Sequence, residues 1–164
     1  MNGNKWILLA EDDANDADLA MRTLALADSE AEIVVTRDGA EALACLYHRG
    51  EFQHHQAREN PVVVVLDLKM PRVDGLEVLT RIKADLRLKR IPVVIFSSSR
   101  EERDIARCYE LGANAYVVKP VDFREYAAAL KDVASFWTRT NEPPPDGVAK
   151  KPHQSAAFWV AHKA

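Results

Sequence analysis

The chain predicts an open, doubly wound α/β domain with a five-stranded parallel sheet, on three observations. Five short apolar runs recur along it: 5–10 (KWILLA), 31–36 (AEIVVT), 61–67 (PVVVVLD), 91–96 (IPVVIF) and 113–118 (ANAYVV). Each is far shorter than the roughly 20 residues that cross a bilayer, and each is rich in strand-favouring β-branched residues. Amphipathic helical patterns separate the runs in strict β–α order, which calls for right-handed crossovers. The runs show no polar alternation, as expected of strands covered by helices on both faces.

Taken in order, the first run ends in Glu11-Asp12-Asp13, and a helix over 14–27 follows. Its apolar stripe is Ala17, Ala20, Met21 and Leu24, widened by Leu19 and Leu26. After the second run, the turn Arg37-Asp38-Gly39 opens a helix over 39–49. Residues 50–60 (GEFQHHQAREN) read as a polar insertion before the third strand, with His54-His55 in a solvated loop. The third run, VVVVLDLKMP over 62–71, ends in Asp67 and is closed by Pro71. A helix over 75–87 carries Leu76, Leu79 and Ile82; one over 100–111 carries Ile105, Cys108 and Leu111, with Gly112 at its C-cap. The last helix, 123–138, carries Phe123, Tyr126, Ala127, Leu130, Val133 and Trp137.

Residues 1–140 therefore read as one domain with the insertion at 50–60. Residues 141–164 hold four of the eight prolines and read as an extended tail, too short for a second core. The formal charge of −3 gives no drive toward nucleic acid or an anionic membrane. Cys45 and Cys108 stand alone, without metal-ligand spacing, as small hydrophobes of a reduced, cytosolic protein. The insertion histidines lack neighbouring metal ligands.

In an open parallel sheet, ligands bind beyond the carboxyl ends of the strands, so the strand ends carry the chemistry. They bear Glu11-Asp12-Asp13, then Asp67, then Ser97-Ser98-Ser99, then Lys119-Pro120. Carboxylates gathered at one edge repel one another, and a hard divalent cation such as Mg²⁺ removes the conflict with oxygen ligands. A cation, Lys119 and Ser97 would also hold the oxygens of a phosphoryl group in transfer, with Asp67 as the nucleophile forming an acyl phosphate. Asp13 reads as the N-cap of the first helix in preference to a ligand.

The acidic pair, LDLKMPRVDG around Asp67, PVVIFSSS and GANAYVVKP together resemble the receiver domain of two-component response regulators over about residues 5–138. The resemblance implies a single-domain (βα)5 flavodoxin-like receiver fold. It implies that Asp67 is the phosphoacceptor for a sensor histidine kinase. It makes Asp12 the direct ligand of Mg²⁺ (or Mn²⁺), Glu11 the acid that holds metal-bound water, and the Lys69 backbone carbonyl a further ligand. Ser97 would be the switch hydroxyl, Lys119 the phosphate-binding lysine and Tyr116 the aromatic that follows the switch. The Lys119–Pro120 bond is expected to be cis. Glu11 stands where Asp is more frequent, and Ser98 where Ala or Gly is usual. Lys69, Ser98 and Ser99 occupy positions that tune phosphoryl lifetime.

The insertion and the SFWTRTNEPPP ending further resemble stand-alone regulators that partner phytochrome and bacteriophytochrome kinases. That implies a cytoplasmic switch whose output is a protein contact. The helix 4–strand 5–helix 5 surface would carry it, and a homodimer through that surface and the Phe136-Trp137 region is expected. A phosphorelay intermediate or phosphate sink is the alternative within the same chemistry. An aspartyl-phosphate phosphatase would need a second acid two residues after the nucleophile, where this chain has Lys69. A degenerate receiver would have lost Asp12, Asp67 or Lys119, and all are present. A dinucleotide-binding domain would need glycine in the first βα turn, and LLAEDDAND has none.

Overall fold

The structure, a computed structural model, describes residues 5–26, 31–55 and 59–145. Its strands are β1 (Trp6–Ala10), β2 (Glu32–Thr36), β3 (Val63–Leu66), β4 (Val93–Ser97) and β5 (Ala115–Val118). The helices between and after them are α1 (Ala14–Leu26), α2 (Gly39–Leu46), α3 (Gly75–Ala84), α4 (Glu102–Glu110) and α5 (Phe123–Ser135). All strand pairs are parallel and the order is β2-β1-β3-β4-β5.

The missing alternation has its cause in the pleat. Successive strand side chains point to opposite faces, and here both faces are buried. Trp6, Leu8 and Ala10 of β1, Val64 and Leu66 of β3, and Val93 and Ile95 of β4 pack with α2, α3 and Cys108 of α4. Ile7, Leu9, Val63, Val65, Val94 and Phe96 face the other way, against Ala20 and Leu24 of α1 and Tyr126, Leu130 and Ala134 of α5. Each fully buried Val, Leu, Ile or Phe side chain contributes roughly 1.5–3 kcal/mol, so the three central strands dominate stability. The cysteines are free and buried, and burial raises the Cys108 thiol to about 11, an inert group.

Several element ends differ from expectation for local reasons. The third helix stops at Ala84 because Asp85 turns extended, its carboxylate accepting from Arg87 N at 2.7 Å and from the Tyr47 hydroxyl at 3.0 Å. Asp38, Asp74 and Asp122 cap α2, α3 and α5, each accepting backbone N–H bonds of the first turn. The insertion is not all loop: Gly50–His55 form a 3₁₀ helix whose Phe52 packs against the core. His54 is exposed, and the His55 side chain lies outside the described residues. Met21, Leu26 and Phe123, assigned to apolar stripes, are exposed.

The last helix ends in a wide π turn over Phe136–Thr140, closed by Asn141 N donating to Phe136 O at 2.7 Å. Lys5 Nζ donates to Thr138 O at 2.6 Å and ties this turn to the start of β1. Trp137 packs against the α1–α5 core while Phe136 is 47% exposed, the two rings meeting edge to face. The tail beyond residue 145 lies outside the described residues. No helix among the described residues is long and apolar enough to cross a membrane.

Gly75, the first residue of α3, is a point where the fold presses directly on the site. A Cβ there would sit 2.1 Å from Asp67 O and 2.7 Å from Leu68 Cα, and Gly75 N donates to Leu68 O at 2.9 Å. The contact is with backbone, so it cannot be relieved by a rotamer change. Gly75→Ala is expected to cost about 2–3 kcal/mol, at the upper end of overpacking effects. Urea denaturation measures the loss.

Candidate metal and phosphoacceptor site

In a 2-1-3-4-5 sheet the connections reverse direction between β1 and β3, opening a crevice at their carboxyl ends. Glu11 and Asp12 follow β1, and Asp67 follows β3, with Asp67 N donating to Ala10 O at 3.1 Å. The two acidic segments are therefore bonded directly to each other. Ligand oxygens of Glu11, Asp12 and Asp67 all lie within 4.8 Å of one another. Glu11 and Asp67 are buried, at 2% and 9% exposure, and Asp12 is exposed.

Lys119, after β5, reaches into this group with its side chain 10% exposed. Its ammonium donates to Glu11 Oε2 at 2.5 Å, Asp67 Oδ2 at 3.0 Å and Asp16 Oδ2 at 3.3 Å. Burial alone would lower the lysine, but hydrogen bonds and the charges of Glu11 and Asp67 outweigh it and raise its pKa. Glu11 is pushed above the usual carboxylate range by burial, which Lys119 offsets only in part. The cluster holds more negative charge than one ammonium neutralises. Three hard oxygen donors at this spacing fit a divalent cation, and Glu11, Asp12 and Asp67 would hold it.

Sequence reasoning placed Asp13 as a cap, and the structure does the same. Asp13 Oδ1 accepts from Asn15 N and Asp16 N, both at 2.9 Å, at the start of α1. Asp13 N in turn donates to Glu11 Oε1 at 3.0 Å, which orients the buried carboxylate.

Ser97 and Tyr116, the positions expected to form a switch, lie on the β4 and β5 side of Asp67. Ser97, the last residue of β4, is buried, and its hydroxyl accepts from Ser99 N at 3.3 Å. Tyr116 on β5 donates its hydroxyl to Ser99 O at 2.9 Å. Burial raises the Tyr116 phenol, with its contacts to Ser97 and Ser99 acting the other way. Ser98 and Lys69 are exposed at the rim, whereas Ser99 is buried and donates its hydroxyl to Asp104 Oδ2 of α4 at 2.6 Å. The expected cis Lys119–Pro120 bond is corrected: no peptide bond among the described residues is cis. Trans is the lower-energy isomer of an X–Pro bond by roughly 0.5–1 kcal/mol. Lys119 already makes its contacts with the bond trans: its N–H donates to Ser97 O at 2.8 Å and its ammonium meets the carboxylates.

Four features of the site escaped sequence reasoning. Asp16 contacts Lys119, although from sequence it is only an acid in a helix's first turn, where the dipole favours it anyway. Asp104 holds Ser99. Gly39 lets α2 approach the loop after Asp67, since a Cβ there would lie 2.0 Å from Val73 O. Arg72 turns that loop with φ 65°, bridged by Val73 N donating to Pro71 O at 2.8 Å, and its Nε lies 3.4 Å from Asp38 Oδ2. Only the Asp38-Gly39 pair carried any signal, and it read as a turn.

The response regulator receiver domain profile matches residues 7–131. The chain belongs to that family. Response regulator Rcp1 of Synechocystis sp. (strain ATCC 27184 / PCC 6803 / Kazusa) is 37% identical over 139 residues, covering 85% of this chain and 92% of Rcp1. The crystal structure of Rcp1 in its Mn²⁺-bound form aligns with a TM-score of 0.78 at 36% identity, over 86% of this chain and 99% of that one. The phosphorylated cyanobacterial phytochrome response regulator RcpA aligns with a TM-score of 0.80 at 39% identity, over 87% of this chain and 99% of that one. The bacteriophytochrome response regulator AtBRR is 48% identical with a TM-score of 0.67, over 84% of this chain and 98% of that one. The receiver's five-stranded fold is thus common to the chain and these relatives.

The cap and the ligand are separable by mutation. Asp13→Ala should lower stability by about 1 kcal/mol, the usual cost of losing an N-cap, with only a modest loss of Mn²⁺ affinity. Asp12→Asn should weaken Mn²⁺ binding far more, with little change in stability. Thermal melts and calorimetric metal titration distinguish the two.

Proposed function

We propose that Asp67 accepts a phosphoryl group from the phosphohistidine of a sensor histidine kinase, in a reaction that needs a divalent cation. The observation that carries this reading is the Lys119 ammonium 3.0 Å from Asp67 Oδ2, inside the carboxylate trio at the β1/β3 crevice. When bound by Glu11, Asp12, Asp67 and the Lys69 carbonyl, Mg²⁺ or Mn²⁺ neutralises charge on the carboxylates and on the transferring phosphoryl oxygens.

The chain's own residues do the rest. A carboxylate oxygen of Asp67 forms the new bond to phosphorus as the bond to the histidine nitrogen breaks, and the imidazole leaves with the electron pair. Burial of Asp67 beneath the loop fixed by Gly75 holds the attacking oxygen in place. Lys119 exchanges a carboxylate contact for a phosphoryl oxygen, and the Ser97 hydroxyl takes another. Ser97 then gives up its bond from Ser99 N, and the rearrangement reaches Tyr116 through the Ser99 carbonyl.

The surface so biased is formed by α4, β5 and α5. At its edge Arg100 before α4, Val118 of β5, Pro120, Val121 and Asp122 of the next loop and Glu125 of α5 line an open groove. We assign output or homodimerisation to this surface, and count the exposed Phe136, at the other end of α5, as a second contact. Likeness to RcpA and AtBRR supports a phytochrome-type kinase as partner, and we assign the protein to the cytoplasm. The receiver unit is assigned to residues 1–140 and the tail to 141–164. Lys69 and Ser98, exposed beside Asp67, set phosphoryl lifetime by their access to water at the site, whereas Ser99 acts through the loop it anchors.

Incubation with acetyl phosphate or a phosphorylated kinase and Mg²⁺ should add one phosphoryl group by intact mass. The gain should vanish in Asp67→Asn and on chelation of the metal. Absence of Mg²⁺-dependent phosphorylation with both donors would refute the reading. Ser97→Ala should still be phosphorylated but lose the phosphorylation-dependent change in solution mass, if output is dimerisation.

A further inference from the structure

Lys119 has one partner that the site does not otherwise require. Of the three carboxylates it contacts, Glu11 and Asp67 belong to the trio that fits a divalent cation. Asp16 does not. Asp16 is rigidly placed all the same: its N–H is capped by Asp13 Oδ1, and its carbonyl accepts from the Tyr126 hydroxyl of α5 at 3.4 Å. Its carboxylate is 39% exposed, so it keeps its charge at little desolvation cost while facing an ammonium that is only 10% exposed.

An ammonium and a divalent cation compete for the same oxygens. A cation on Glu11 and Asp67 leaves Lys119 short of partners, and a nearly buried ammonium without one is costly. The lysine carries three N–H donors on a flexible stem, so a short swing exchanges Glu11 for Asp16 without exposing it.

Resting on the reading above, we propose that Asp16 is a positioning residue that takes the Lys119 ammonium when a divalent cation takes Glu11 and Asp67. It thereby lowers the competition between lysine and metal and parks the lysine beside Asp67 for the phosphoryl group.

A double-mutant cycle on the full chain tests this, with Mn²⁺ affinity read by calorimetry and folding checked by thermal melts. The wild type, Asp16→Ala, Lys119→Ala and the double variant are titrated with Mn²⁺ alone. Asp16→Ala should weaken Mn²⁺ binding by about 3- to 10-fold, in the range of coupling between contacting charged residues. Lys119→Ala should bind Mn²⁺ more tightly than wild type, and removing Asp16 in that background should change affinity by less than about twofold. Asp16→Asn serves if the alanine variant melts early, and Asp16→Glu should recover part of the loss. An equal loss with and without Lys119 overturns the proposal, because Asp16 would then act on the ion through its charge alone. No loss in either background overturns it too. A wild type that takes up no Mn²⁺ removes the metal-dependent function itself, whereas binding with purely additive effects removes only the role of Asp16.

Discussion

A nearly buried ammonium among carboxylates from different strand ends is the interaction on which the rest of this molecule depends. Glu11 and Asp67 are held where ionised acids are costly, and Lys119 is the described cation that offsets them. The lysine is brought there from the far edge of the sheet by β5, with more than a hundred residues between it and Glu11. The arrangement is over-supplied with negative charge. That excess suits the site to a divalent cation, which under the proposed function would join Lys119 in offsetting the charge of the phosphoryl group.

Holding these charges together requires the loops around them to be rigid, and rigidity is achieved by close backbone approach. Gly75 lets the start of α3 rest on the Asp67–Leu68 backbone, and Gly39 lets α2 rest on Val73. Between them Arg72 accepts a positive φ, a conformation unfavourable to a side-chain-bearing residue. Its ion pair with Asp38, which also caps α2, helps hold it there. The segment after Asp67 is thus braced from two helices, while Lys69 and Ser98 at the rim stay exposed.

The opposite side of Asp67 is built differently. There Ser97, Ser99, Tyr116 and Asp104 form a short chain of hydrogen bonds running from β4 through the loop to α4 and β5. The Ser99 N to Ser97 Oγ bond, at 3.3 Å, is the longest of the three. Under the proposed function, a braced side for Asp67 and a hydrogen-bonded side for the signal would suit a switch, because only the second has to rearrange.

Much of this was legible in the sequence, and the reasons are physical. Unbroken β-branched runs in β–α order report a parallel sheet buried on both faces, and charged residues directly after such runs must lie at its carboxyl edge. Glu11, Asp12, Asp67, Ser97 and Lys119 do lie at that edge, and Asp13 caps α1. Asp16, Asp104, Gly39, Gly75 and Arg72 carried no comparable signal. Each is an ordinary helix-start acid, turn glycine or loop arginine until another element is brought against it. The helix stripes were overread at Met21, Leu26 and Phe123, since periodicity reports a face but not where the neighbouring helix ends. By itself the sequence determined the layers, the edge and the chemistry of its ends, because these follow from local pattern and the direction of the chain. Which carboxylate shares the lysine, which loop is braced and which aromatic of the Phe136–Trp137 pair is left outside were decided only by tertiary structure, because they depend on distances of a few ångströms between segments far apart in the chain.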